Sequence, residues 1–261
     1  MYWKNGKGCK LQAHRGVASD APENTMAAFR EAVRQGYDTI ELDPECTKDG
    51  QFVVLHDGKL NRTGRNPDGT AIETELRMAD LTLAEAQRYD YGLWFGERFR
   101  GEKLPLLEDA LRLSQESGIP IKIDNKIERC IPEDRKEAFY ALLERYETCI
   151  GLTSARPETI RFYAERFPKA GLHYDGRISE EILRDLGAYG ERLTVWVPHQ
   201  NRLTTWVRIP FADEALCGLV KRYAKLGIWI VENDEAGQEV LERFGPEIVE
   251  TTGGIKPCAA N

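Results

Sequence analysis

The sequence ELDPECTKDGQFVVLHD, residues 41–57, is the stretch from which the fold can be read. As a strand, its first residues would point Glu41 and Asp43 to the same side. The lysine, aspartate and glycine at 48–50 are typical of a tight turn, and the β-branched run after them predicts a second strand. Such a hairpin would return His56 to the level of the two carboxylates, an arrangement that suits a hard metal ion beside an acid/base group. The competing interpretation is a strand with solvated carboxylates and a loop histidine.

The composition is that of an ordinary globular protein, with 41% hydrophobic and 30% charged residues among 261. The net charge of −7 argues against a nucleic-acid partner, so an anionic substrate would need a local positive centre. No apolar run approaches the roughly 20 residues that span a bilayer, and the first ten residues are polar and basic rather than signal-like. Six scattered cysteines show neither a C-x-x-C pair nor zinc-like spacing. We therefore expect a cytoplasmic protein with reduced cysteines and no stable membrane insertion.

Strand patterns alternate with helix patterns along the chain. Setting the hairpin aside, eight strands are predicted near residues 12, 41, 122, 152, 172, 195, 229 and 249, and most are followed by a helix. Eight such units in about 250 residues predict an α/β fold, a (β/α)8 TIM-like barrel in one domain over 1–261. A doubly wound open sheet is the alternative, but no glycine-rich phosphate motif follows the first strand.

Polar residues follow three neighbouring strands of this predicted barrel. Because barrel active sites lie at the carboxyl ends of the strands, we expect these residues to meet at one mouth. They are His14 and Arg15 after strand one, Glu41 and Asp43 on strand two, His56 from the hairpin, and Asp124 and Lys126 after strand three.

The residue types at this mouth point to one reaction class. Three carboxylates without cysteine favour Mg²⁺ or Ca²⁺ over zinc. The guanidinium of Arg15 could donate two hydrogen bonds to phosphate oxygens, and the ammonium of Lys126 could supply a compact positive charge. Of the two histidines, His14 and His56, one could act as a general base and the other as a general acid in cleavage of a phosphodiester. The residues therefore predict metal-assisted phosphodiester cleavage.

The sequence resembles the glycerophosphodiester phosphodiesterases over roughly its first 126 residues. The motifs that carry the resemblance are HRG at 14–16, PENT at 22–25, ELD at 41–43, TKDG at 47–50, VVLHD at 53–57, LNRT at 60–63 and KLPLLE at 103–108. The resemblance implies a TIM-like barrel with Glu41, Asp43 and the strand-three acid as ligands of one divalent cation. It also implies His14 and His56 as the acid/base pair, and a small insertion over the barrel mouth at about residues 57–105.

Two departures from the family pattern concern the metal ligand after strand three and the substrate pocket. Asp124-Asn125-Lys126 stands where the family usually has Glu-x-Lys, so an ion could sit closer to that strand or take an extra water. The C-terminal half matches more weakly, including the stretch from Trp229 to Glu232 and Thr251-Thr252. We expect Trp229, and Trp94 in the insertion, to line the pocket, although Trp229 is equally typical of a barrel core.

Structural interpretations stand beside several of these functional ones. Glu23, Asn24 and Thr25 fit a helix cap that could also steady His14. Arg15 could form an ion pair with a neighbouring strand end. Lys126 could simply pair with Asp124. Arg62 could anchor the insertion rather than touch substrate.

The sequence thus predicts an enzyme that hydrolyses a small-molecule glycerophosphodiester to glycerol 3-phosphate and an alcohol, with Mg²⁺ or Ca²⁺ bound. One alternative is the same machinery acting on a lysophospholipid headgroup or a sugar or inositol phosphodiester. The other is a phosphodiester-binding barrel without turnover, which the intact set of ionisable groups disfavours. The sequence makes no prediction of oligomeric state.

Overall fold

Eight parallel strands close into a barrel in the computed structural model, which describes residues 9–199 and 210–257. Around the barrel the strands run β1-β10-β9-β8-β7-β6-β5-β2, so each neighbours those adjacent in sequence once the hairpin is set aside. The barrel strands are β1 (Lys10–Ala13), β2 (Thr39–Leu42), β5 (Ile121–Ile123), β6 (Ile150–Ser154), β7 (Gly171–Tyr174), β8 (Leu193–Pro198), β9 (Lys225–Trp229) and β10 (Ile248–Thr251). The predicted barrel is confirmed.

Helices connect the strands and cover the outside of the barrel. Within the described ranges they are α1 (Met26–Gln35), α2 (Leu83–Ala86), α3 (Leu107–Ser117), α4 (Ile127–Cys130), α5 (Glu133–Glu144), α6 (Pro157–Arg166), α7 (Glu180–Leu186), α8 (Glu214–Lys221) and α9 (Asp234–Phe244). Thr25 caps the start of α1, and Gly36 ends it with a left-handed φ of 77°. Among these helices, none is both long and apolar enough to cross a membrane.

The hairpin is separate from the barrel rather than an extension of β2. Its strands, β3 (Pro44–Cys46) and β4 (Phe52–Val54), form a separate two-stranded antiparallel ladder outside the barrel sheet. The expectation that one strand runs through Asp43 into the hairpin is therefore wrong in detail. Pro44 cannot donate a hydrogen bond to the barrel ladder, and β2 ends at Leu42.

Strand β4 contacts two hydrophobic cores. Val54 packs into the barrel core, whereas Val53 and Leu55 pack into a second core built mainly by the insertion. This insertion core contains Val53, Leu55, Leu60, Ile72, Met78, Ala86, Tyr91 and Leu104. The insertion thus has its own hydrophobic core, which packs against the hairpin.

The interior of the barrel carries an ionic network below its mouth. In the strand register Glu41 stands beside Lys122, whose Nζ lies 3.3 Å from Oε2 of Glu250 and 4.6 Å from the centre of the Trp196 ring. The indole Nε1 of Trp196 donates to Nδ1 of His173 at 3.0 Å. The ion pair of Lys122 and Glu250 therefore lies inside the barrel, directly below the residues at its mouth.

The seventh barrel strand carries Trp229 at its end. Strand β9, predicted near residue 229, starts at Lys225 and pairs with β8 over five positions from Thr194 to Pro198. The helix before it ends at Lys221. Trp229 therefore lies at the carboxyl end of the strand, at the barrel mouth.

Candidate active site

A tight turn after β1 presents His14 and Arg15 at the mouth. Arg15 adopts a left-handed φ of 58°, and Gly16 follows with a φ of 78°. A Cβ at Gly16 would lie 2.7 Å from Ala28 of α1, so only glycine fits this close approach. The turn also lets the backbone N–H of Arg15 donate to Oε2 of Glu41 at 3.0 Å. This hydrogen bond connects the loop after β1 to strand β2.

Glu41, Asp43 and Asp124 form an acidic cluster at the ends of β2 and β5. One carboxylate oxygen of each lies within 4.8 Å of the others. Glu41 and Asp43 are each only 2% exposed. Burial, followed by repulsion from Asp43, raises the pKa of Glu41 well above its usual value and raises the pKa of Asp124 in the same way. These carboxylates are held together against their mutual repulsion.

Asp43 is the best-partnered member of this cluster. Nζ of Lys126 lies 2.6 Å from its Oδ1, Nδ2 of Asn24 donates to Oδ2 at 2.7 Å, and Nε of Arg15 lies 3.4 Å from Oδ2. Although burial opposes ionisation, Lys126 and then Arg15 hold the pKa of Asp43 well below its ordinary range. The expected pairing of Lys126 with Asp124 is therefore not the one in the structure, where the lysine contacts Asp43.

The acidic cluster suits a hard divalent cation. Its donors are all carboxylate oxygens, the type preferred by Mg²⁺ and Ca²⁺, and no thiol or imidazole is among them. The raised pKa values of Glu41 and Asp124 report a repulsion that a cation would relieve. The residues fit the ion that their pattern predicts.

The two histidines come from different loops, His14 from the turn after β1 and His56 from the segment after β4. Nε2 of His14 lies 3.9 Å from Oε2 of Glu41, and burial followed by the charge of Arg15 lowers the pKa of His14 well below its usual value. His56 lies two residues after β4, close enough that a proton on its ring would lower the pKa of both His14 and Asp43. The backbone oxygen of His56 accepts a 2.6 Å hydrogen bond from Nζ of Lys126.

The PENT motif does more than cap α1. Thr25 is the cap itself, accepting from the N–H of Ala28. Asn24, with a left-handed φ of 55°, binds Asp43 rather than His14. Glu23 pairs with Arg15 at 2.9 Å and with Arg62 at 2.6 Å. The capping interpretation is thus confirmed for Thr25, whereas the hydrogen bonds described for Glu23 and Asn24 go to Arg15, Arg62 and Asp43 and not to His14.

The two tryptophans occupy different surroundings. Trp229, at the end of β9, is partly buried, and its Nε1 finds no hydrogen-bond partner in 9–199 and 210–257. Trp94 donates its Nε1 to the backbone oxygen of Tyr91 and packs edge-on against Phe95, all within the insertion. No described contact places Trp94 at the mouth.

Sequence reasoning missed two further polar residues near the acidic cluster. Nδ2 of Asn125 donates to Oδ2 of Asp175 at 2.5 Å, while Oδ1 of Asp175 has no partner among the described residues. Burial, followed by the charge of Asp124, raises the pKa of Asp175 to about 7. Asp175 directly follows β7, so reading the ends of all eight strands would have found it.

Sequence comparison with curated proteins finds relatives of this chain. A glycerophosphodiester phosphodiesterase of Caldanaerobacter subterraneus subsp. tengcongensis is 41% identical over 114 residues, which is 44% of each chain. A glycerophosphoinositol inositolphosphodiesterase of Mus musculus is 27% identical over 203 residues, 77% of this chain and 33% of that protein. The matched part therefore spans less than half the length of these relatives.

Solved structures and a family model complete the comparison. An Oleispira antarctica phosphodiesterase, solved in complex with the product sn-glycerol-3-phosphate, superposes with a TM-score of 0.70 at 20% identity, covering 94% of this chain and 93% of the other. At that identity the likeness bears on the fold, which is again the closed barrel. The model of the glycerophosphoryl diester phosphodiesterase family matches residues 14–168, more than half of the chain. The chain belongs to the glycerophosphoryl diester phosphodiesterase family.

Proposed function

We propose that this protein hydrolyses a glycerophosphodiester to glycerol 3-phosphate and an alcohol, as a single catalytic domain that requires a divalent cation. The observation that carries the proposal is the convergence of Glu41, Asp43 and Asp124 with two histidines at one barrel mouth. Membership of the family and the product bound by the Oleispira antarctica neighbour support the same reaction class.

In the proposed reaction the two histidines divide the proton transfers. A water oxygen forms the new bond to phosphorus while one histidine removes its proton. If the glycerol hydroxyl of the substrate attacks instead, a cyclic phosphate forms, and water must then open it to give glycerol 3-phosphate. The bond from phosphorus to the alcohol oxygen breaks, and the other histidine gives that oxygen its proton. His14 and His56 fill these two roles.

Phosphate binding falls to Arg15 and Lys126. The Arg15 guanidinium is fixed between Glu23 and Asp43 at the mouth, where its remaining N–H groups suit phosphate oxygens. The Lys126 ammonium donates one N–H to Asp43 and one to the backbone oxygen of His56. Its third N–H would donate to the substrate. Trp229, and with less support Trp94, would border the alcohol.

Glu41, Asp43 and Asp124 would hold the cation, which we propose is Mg²⁺ or Ca²⁺. Such an ion, when bound, neutralises charge on a phosphate oxygen and makes phosphorus more electrophilic. Asp124 is one methylene shorter than glutamate, and Asn24 and Lys126 would hold the Asp43 carboxylate in place for the ion.

Release of glycerol 3-phosphate from glycerophosphocholine and glycerophosphoethanolamine tests the proposal. The assay is run with chelator and then with Mg²⁺, Ca²⁺ or Mn²⁺ restored. Release that disappears with chelator and returns with one cation is expected. Hydrolysis of a generic aryl phosphodiester alone would mean that the substrate is wrong, and no hydrolysis of either would favour a binding protein.

An inositol phosphodiester is the second candidate substrate. The observation that favours it is the similarity to the mouse glycerophosphoinositol inositolphosphodiesterase, which extends over 77% of this chain. Glycerophosphoinositol added to the same assay decides between the two, because the inositol diester would then be cleaved faster than the choline diester at equal concentration.

We also propose that the enzyme works in the cytoplasm. The five cysteines within the described ranges are free thiols: Cys9, Cys46, Cys130, Cys149 and Cys217. Free thiols suit a reducing compartment. Fractionation of the source cells with an antibody to the protein would test this placement.

A further inference from the structure

Arg62, at the rim of the insertion, joins two chains of contacts that lead to the site. Its Nε lies 2.5 Å from Oδ2 of Asp57, and its Nη1 and Nη2 donate to the two oxygens of Glu23 at 2.8 and 2.6 Å. Oδ1 of Asp57 lies 2.5 Å from Nδ1 of His56, and Glu23 also pairs with Arg15. One guanidinium thus contacts the neighbours of two site residues.

The contact between Asp57 and His56 decides which ring nitrogen is free. Asp57 is an ionised carboxylate, since the hydrogen bond with His56 and the contact with Arg62 hold its pKa well below the ordinary value. A carboxylate can only accept, so Nδ1 of His56 carries the proton and donates it. Nε2 is then the ring nitrogen available to exchange a proton with substrate.

The backbone and the ring of His56 are held by different residues. Lys126 donates to the backbone oxygen of His56 and fixes the chain there. The ring is one-third exposed and is oriented by Asp57. Because Asp57 is itself partly exposed, its carboxylate keeps that orientation only while Arg62 holds it.

The backbone next to Arg62 is held in place by hydrogen bonds of Asn61 and by burial of Leu60. The side chain of Asn61 donates to the backbone oxygens of Ile72 and Thr74 and accepts from the N–H of Leu76. Leu60 is fully buried in the insertion core. The guanidinium is therefore presented from a fixed backbone, as a positioning role requires.

We propose that Arg62 is a positioning residue, which through Asp57 fixes the ring of His56 and through Glu23 joins the insertion to Arg15 of the barrel. The proposal rests on the proposed function of His56 as an acid/base group. A lysine cannot replace it, because one ammonium does not match both carboxylates with the planar fork that Arg62 uses.

Kinetics of R62A and R62K test the proposal. We expect kcat to fall about 10–100-fold in both variants while KM changes by less than about threefold, because substrate contacts remain and ring orientation is lost. Millimolar guanidinium should restore part of the rate to R62A and none to wild type. R77A is the matched control: it removes a cation of the same insertion whose one ion pair within the described ranges is with Glu75 at 3.7 Å, and it should leave kcat unchanged.

A double variant and a spectroscopic readout complete the test. If Arg62 acts through Asp57, D57N/R62A should be no more than about twofold slower than D57N, because the two residues act as one unit. Ring ¹⁵N shifts of His56, assigned with H56Q, should report protonated Nδ1 in wild type and a mixture of tautomers in R62A. Additive effects, a wild-type kcat in R62A, or unchanged ring shifts would overturn the proposal.

The ring shifts also separate this inference from the proposed function. A wild-type protein that cleaves no diester, but whose His56 tautomer depends on Arg62, would retain the positioning contact and lose the proposed reaction. An active wild type whose His56 shifts ignore Arg62 would keep the reaction and refute the positioning role.

Discussion

Glu41→Gln isolates the contribution of one carboxylate to cation binding. The amide keeps the size of the side chain, and its oxygen can still accept the 3.0 Å hydrogen bond from Arg15. Because burial raises the pKa of Glu41, the ionised group destabilises the metal-free protein increasingly as pH rises above the ordinary carboxyl range. The metal-free variant should therefore melt at or slightly above the Tm of wild type at pH 7.

The expected loss is in the response to cation. A cation at 100 times its Kd stabilises the wild type by about 2.7 kcal/mol, or roughly 5–10 °C in a protein of this size. If removing one of three carboxylates weakens binding about 100-fold, the same concentration only equals Kd and the gain falls to about 0.4 kcal/mol. The variant should then shift by roughly 1 °C.

Thermal melting with chelator and with added Mg²⁺ or Ca²⁺ measures both effects. Glu45→Gln is the control, since Glu45 is a buried carboxyl of the adjacent hairpin with a raised pKa but lies outside the acidic cluster. It should keep the wild-type cation shift. A full cation shift in Glu41→Gln, or a metal-free melt many degrees below wild type, would refute the reasoning.

Three further predictions concern the histidines, a buried acid and a glycine. His14→Ala and His56→Ala should each lower kcat about 100-fold or more in the hydrolysis assay, and a near-wild-type rate would remove that histidine from acid/base catalysis. Burial raises the pKa of Asp175 to about 7, so the metal-free protein should lose stability as pH rises from the ordinary carboxyl range to 7. Asp175→Asn should flatten this dependence in melts between about pH 4 and 8; an unchanged slope would contradict it. Gly16→Ala should lower the free energy of unfolding by about 1–3 kcal/mol in urea titrations, through strain at φ +78° and contact with Ala28; wild-type stability would show that the turn can relax.

The acidic cluster was predictable from sequence because its geometry follows from strand ends. Glu41 and Asp43 belong to one strand end and Asp124 to its neighbour in the barrel, and parallel closure brings such ends together. Local alternation and the order of elements were sufficient. The same rule, applied to every strand, would also have included Asp175.

Pairing between side chains was less predictable, because it depends on contacts between distant segments. Lys126 reaches Asp43 on another strand rather than Asp124 two residues away. Glu23 and Arg62 are 39 residues apart, and no local pattern indicates that they meet. Trp94 donates its indole N–H to Tyr91 of its own segment, a contact that its aromatic loop did not indicate.

The two-sided packing of β4 links the folding of the insertion to the placement of His56. Alternate residues of this short strand are divided between two hydrophobic interiors, with Val54 on one side and Val53 and Leu55 on the other. A slip of one residue in the ladder would exchange these sides and bury the wrong groups in both places. His56 lies two residues after this strand. The same apolar alternation that excludes a slipped register therefore also sets the position of a proposed proton carrier. Mutations of aliphatic residues in the insertion core can thus alter turnover without touching a polar group.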